Sequence, residues 1–127
     1  MKKNQVVVSW FEIVVENLEK SKIFYENIFQ VKLESLDNSS GIKMYIFPGY
    51  KGKHHGAMGA LISGKNLKSG NNSVTIYFEC LNLEEELSRV KKNGGKVLIP
   101  KTGVGEHGFI AHFLDLEGNK IGLQSIM

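Results

Sequence analysis

Side chains able to move protons or hold metals are few in this 127-residue chain, which has four histidines, one cysteine and 13 acidic residues. Glu12 stands out because it lies in Val6–Val15, a run of β-branched and aromatic residues that predicts a strand. Strand alternation puts Phe11, Ile13 and Val15 on one face and Trp10, Glu12 and Val14 on the other. The second face mixes an indole, a carboxylate and an aliphatic group. If that face turns into a cavity, Glu12 becomes an acid/base candidate, since an enclosed carboxylate resists ionisation. Val74–Cys80 repeats the pattern, with Ile76, Phe78 and Cys80 on an apolar face and Thr75, Tyr77 and Glu79 on a mixed one.

Other candidates are weaker. His54 and His55 sit in a Lys-rich loop that solvates readily. His112, between Ala111 and Phe113, reads as a structural or surface histidine with a general-base role as the alternative. Cys80, on an apolar face, reads as packing, and Tyr45 as a cleft or sheet-edge residue. Gly103–Gly108 spells G-x-G-x-x-G, but Phe109–Leu114 alternates like a strand, whereas dinucleotide binding needs a helix there. A hairpin loop is the expectation.

The elements that position these residues come in two copies. Asn17-Leu18-Glu19 and Asn82-Leu83-Glu84 are helix entries 65 residues apart, about half the chain. Each Asn is an N-cap and each Glu falls in a first turn. Leu18, Ser21, Phe24, Tyr25, Ile28 and Phe29 recur at helical spacing, as do Leu83, Leu87 and Val90 before Gly94-Gly95. Strands are predicted at Val31–Leu36, Lys43–Phe47, Ala57–Ser63, Val97–Ile99, Phe109–Leu114 and Lys120–Ser125, with Lys101–Gly108 a loop. The order is βαβββ twice: module one at residues 5–63, a linker at 64–73 and module two at 74–126. With the helices outside, the mixed faces would enclose a shared, ligand-sized cavity.

Composition narrows the class. A 42% hydrophobic and 23% charged chain is an ordinary globular domain. No apolar run reaches the roughly 20 residues of a membrane span. Glu12 breaks the N-terminal apolar stretch, so that stretch is expected to be mature structure. Net charge +3 is too mild for a nucleic-acid binder. One cysteine fits a reducing cytoplasm.

Two stretches, WFEIVVENLEKSKIFYENIF and GGKVLIPKTGVGEHGFIAHFLDLEGNKIGLQS, resemble the vicinal oxygen chelate superfamily of glyoxalases, bleomycin-resistance proteins and extradiol dioxygenases. The most telling residues are Phe24-Tyr25 after the first helix entry and the Phe113–Asn119 turn. The resemblance implies an α+β fold of paired βαβββ modules, forming a barrel-like sheet around a ligand cleft, and a homodimer. In metal-dependent members four His, Glu or Gln side chains on the first and last strands of each module hold a divalent cation. Those positions fall here on Trp10, Gly59, Thr75 and Gly122, none of which offers a donor. A one-residue shift would bring in Glu12 or Gln124, still a poor site. No metal or other cofactor is expected.

The expected function is therefore binding of a small organic molecule without the usual metal, with Trp10, Glu12, Tyr45, Thr75, Tyr77 and Gln124 lining the site. The alternatives are a lyase or isomerase using Glu12 as acid/base, an antibiotic-sequestering resistance protein, or a dimeric accessory module without a ligand. The two glycines are read either as space left by missing carboxylates or as sites of close packing.

Overall fold

The structure is a computed structural model and describes residues 8–36, 41–49, 56–70 and 72–126. The βαβββ order occurs twice. The first copy is β1 (Trp10–Val14), α1 (Leu18–Phe29), β2 (Glu34–Leu36), β3 (Lys43–Ile46) and β4 (Met58–Ser63). The second is β5 (Tyr77–Glu79), α2 (Leu83–Lys92), β6 (Lys96–Gly103), β7 (Phe109–Leu114) and β8 (Lys120–Ser125). Each makes one four-stranded sheet, ordered β1-β4-β3-β2 and β5-β8-β7-β6. The first strand of each module runs parallel to its last, and the other described pairs are antiparallel.

Local chemistry accounts for the helix ends. The Asn17 side chain accepts from the Lys20 N–H at 3.1 Å, and Asn82 from the Glu85 N–H at 3.4 Å. α1 stops at Gln30, which takes a left-handed backbone (φ 56°) without being glycine. Gly94, at φ 94°, follows α2 as the sequence predicts. The predicted loop at Lys101–Gly108 is shorter than expected: β6 continues to Gly103, and Gly105–His107 form a 3-10 turn. β6 is an edge strand with register irregularities on both sides of Ile99, which is where Pro100, lacking an N–H, is tolerated. No helix opens after the G-x-G-x-x-G run; strand β7 does.

The faces of the sheets are arranged differently from the expectation. The helix-covered faces meet each other, and the mixed faces point away. Phe78 of β5 packs against Phe11, Phe29 and Phe47 at ring-centroid distances of 5.4, 4.8 and 5.4 Å. Phe24 of α1 reaches Phe113 of β7 at 6.3 Å, and one buried cluster runs from Ile13 and Val15 through Leu87 and Val90 to Leu123. Burying both apolar faces in one core removes more apolar surface from water than enclosing two half-polar faces would. Trp10 and Tyr77 are consequently 40% and 48% exposed. The two sheets share no strand pairing, so they curve without closing into a barrel.

The two modules are locked together by the residues that carry the family resemblance. The buried Tyr25 hydroxyl donates to Asp115 Oδ2 at 2.7 Å. Asn119 Nδ2 donates to the same oxygen and to the Val14 carbonyl, each at 3.0 Å. Asp115 Oδ1 accepts from the backbones of Glu117 and Asn119. Glu117 reaches back to module one, accepting from the N–H groups of Glu16 and Asn17 at 2.6 and 2.7 Å. Burial raises the Glu117 carboxyl, but these two backbone donors together with the Ser69 and Ser21 side chains outweigh it, and its pKa lies below the ordinary value.

Candidate functional site

A cleft of about 1010 Å³ opens where the two first strands approach each other. Its floor is the cluster of Phe11, Phe29, Phe47 and Phe78, rings that the shared core places side by side. β5 contributes Tyr77 and Glu79, the segment leading into it contributes Thr75, β8 contributes Gln124, and the first turns of α2 contribute Glu85, Glu86 and Arg89. Arg89 is positioned by two acceptors: its Nε donates to the Ile28 carbonyl at 2.8 Å and its terminal nitrogen to Glu86. Burial raises the Glu86 pKa, and the Arg89 guanidinium only partly offsets this. Gln124 donates to the His107 carbonyl at 2.7 Å, tying the 3-10 turn to the cleft. Cys80 also borders the cleft, and burial pushes its thiol up to about 11, so it is a poor nucleophile near neutral pH.

Three of the six site residues expected from sequence meet here: Thr75, Tyr77 and Gln124. The other three do not line this cleft. Trp10 Nε1 donates to Glu12 Oε2 at 3.2 Å, and both side chains sit exposed on the outward face of the first sheet. The apolar enclosure that made Glu12 an acid/base candidate is missing. The Tyr45 hydroxyl donates to Glu19 Oε2 on α1 at 2.7 Å, and that hydrogen bond raises its pKa. His112 lies on the outward face of the second sheet with its Nε2 2.6 Å from the Tyr77 hydroxyl, a hydrogen-bonding distance. Burial lowers its pKa first, and nearby Lys120 adds to this. His54 and His55 lie outside the described residues.

The four phenylalanines and the α2 side chains escaped the sequence reading. Phe11 and Phe78 were legible as apolar-face residues, but the floor of a cleft and the centre of a core use the same residue types. The acidic run Glu84-Glu85-Glu86 carried the only signal, and it also serves the helix dipole.

The strand register corrects the position of one metal-family residue. Glu12 pairs with Ala60 and Tyr77 with Gly122, and Glu12 and Tyr77 are themselves 65 residues apart. Ala60, not Gly59, therefore answers Gly122. Gly59 pairs with Phe11 and faces the helices. Neither glycine leaves space. A Cβ at Gly59 would lie 2.4 Å from the Phe11 ring, and one at Gly122 would lie 2.4 Å from the Tyr77 ring. Trp10, Ala60, Thr75 and Gly122 do not fit a divalent cation, and the Tyr77 ring stands where a side chain of residue 122 would go. Among the described residues no group of three or more His, Cys, Asp or Glu is placed to hold an ion.

Residues 7–123 match the profile of the Glyoxalase/Bleomycin resistance protein/Dioxygenase superfamily, and the chain belongs to that family. No curated protein matches the sequence. Solved structures share the fold. A genomically encoded fosfomycin resistance protein, FosX, from Listeria monocytogenes is 21% identical with a TM-score of 0.65, over 95% of this chain and 93% of that one. A hypothetical protein from S. aureus is 23% identical with a TM-score of 0.63, over 97% and 96%. A glyoxalase I mutant from Zea mays is 21% identical with a TM-score of 0.70, but the match covers 93% of this chain and only 45% of that one.

Proposed function

We propose that this protein binds a small, largely apolar organic molecule in the inter-module cleft, without a chelated metal. The observation that carries the reading is the floor of four phenylalanine rings beneath a polar rim, in a volume large enough for a drug-sized ligand. Aromatic floors favour planar ligands through stacking. The rim side chains Thr75, Tyr77 and Gln124 would orient the ligand by hydrogen bonds. Sequestration of an antibiotic is one form this binding could take, in keeping with the resistance proteins in the family's name and among the similar structures. The lyase or isomerase reading gains nothing from Glu12, which stands outside the cleft.

The protein is read as a homodimer. Trp10, Leu36 and Ile99 are 40%, 47% and 38% exposed, apolar surface that a second copy would cover. No described helix is long and apolar enough to cross a membrane. The single cysteine suits a reducing compartment such as the cytoplasm.

Thermal unfolding in the presence of a panel of small, non-chelating aromatic compounds tests the reading. A bound compound at ~100 times its dissociation constant should stabilise the fold by about 2.7 kcal/mol. The gain should be the same with a chelator as with added Zn, Ni or Mn ions. Stabilisation that requires the ion would overturn the metal-free reading.

A further inference from the structure

We infer that Gln30 reads the ligand through its side-chain amide, so that the ligand carries a carboxamide or lactam edge on its planar body. The inference rests on the binding function proposed above and specifies its ligand class. Gln30 lines the cleft between Phe29 and Val31. Its backbone is left-handed, with φ 56° and ψ 50°, a region where a Cβ crowds the following carbonyl. Among the described residues the other non-glycine with positive φ is Asn66, a residue type that tolerates that region. The second module leaves its helix through a glycine, Gly94 at φ 94°. Glycine would suit the fold better at residue 30 too.

The strained backbone is held from several sides. The Gln30 N–H donates to the Glu26 carbonyl, and the Val31 N–H donates to the same oxygen at 3.2 Å. Glu26 Oε2 accepts from the Leu33 N–H at 2.9 Å, and Arg89 of the second module donates to the Ile28 carbonyl at 2.8 Å. A strained conformation persists where its surroundings over-determine it, and such residues cluster at ligand-binding sites. The side chain gives the fold nothing in return. It is exposed, and its amide bonds no protein group among the described residues. The result is an amide anchored at its backbone beside the phenylalanine floor. An amide both donates and accepts. A carboxamide or lactam, which also does both, can meet it with paired hydrogen bonds, whereas an ester can only accept.

Calorimetric titration of the full-length protein with naphthalene-2-carboxamide and methyl 2-naphthoate tests this, since the two probes share an aromatic body and differ in the donor. The carboxamide should bind about tenfold more tightly, the worth of one net hydrogen bond. Gln30→Met keeps the side-chain length and the backbone strain without the amide, and should abolish that preference at an unchanged unfolding midpoint. Gln30→Gly should abolish it too while raising the midpoint, because the strain is relieved. A residue serving only the fold would not trade affinity for stability in this way. A carboxamide preference that survives in the Met variant, or a midpoint that fails to rise in the Gly variant, would overturn the assignment. Equal binding of both probes to the unaltered protein would also overturn it, leaving the apolar cleft standing. Failure of both to bind would overturn the cleft reading along with it.

Discussion

Gly59 and Gly122 show how much a missing Cβ can decide. Each lies beneath an aromatic ring that a methyl group would strike at 2.4 Å. Phe11 is wedged among Phe47 and Phe78, so Gly59→Ala forces a packed ring to move and should cost about 1–3 kcal/mol in chemical denaturation. Tyr77 is half exposed and can swing outward. Gly122→Ala should therefore cost less, but break the Tyr77–His112 contact, which the NMR titration of His112 will report as a changed midpoint. Tyr25 is the third decisive residue. Tyr25→Phe removes the hydroxyl from Asp115 Oδ2 and leaves the Asn119 amide as that oxygen's remaining donor. A loss of about 1.5–3 kcal/mol is expected, the range for a hydrogen bond to an acidic group. A loss within error would show that Asp115 recruits water in place of the phenol.

At the scale of elements, both helix entries are built alike but anchored differently. Asn17→Ala should cost about 0.5–2 kcal/mol. Asn82→Ala should fall at the low end of that range, because its capping bond is longer, 3.4 Å against 3.1 Å. The first entry has a second support in Glu117, which crosses from the other module to the N–H groups ahead of α1. Its pKa is lower folded than unfolded, so the stability it adds is fully present above the unfolded value near 4 and disappears as pH falls through the folded one. Urea midpoints measured from neutral pH downward should fall across that acid window. In Glu117→Gln the same window should be flatter; an unchanged slope would assign the acid sensitivity to other carboxylates.

At the scale of the molecule, the fused apolar core leaves the mixed faces of both sheets outward. The exposed Trp10, Leu36 and Ile99 lie on strands of those two sheets. Light scattering coupled to size exclusion should give twice the chain's 14.2 kDa. A monomer at micromolar concentration would remove the dimer from the reading without touching the cleft, which is formed within one chain.

The sequence alone determined the repeat, the helix entries at Asn17 and Asn82 and the strand alternation. These are local properties, set by spacing along one chain segment, and they survive folding unchanged. Only the tertiary structure decided which face of each sheet is inside. The apolar faces of β1 and β5 were legible, but two such faces can be covered by their own helices alone or by each other as well, and the choice depends on total buried area rather than on any segment. That choice moved Trp10 and Glu12 out to the surface and brought Phe11 and Phe78 under a cleft. It also showed Gly122 to be filled by Tyr77, a contact between neighbouring strands that one-dimensional spacing does not contain.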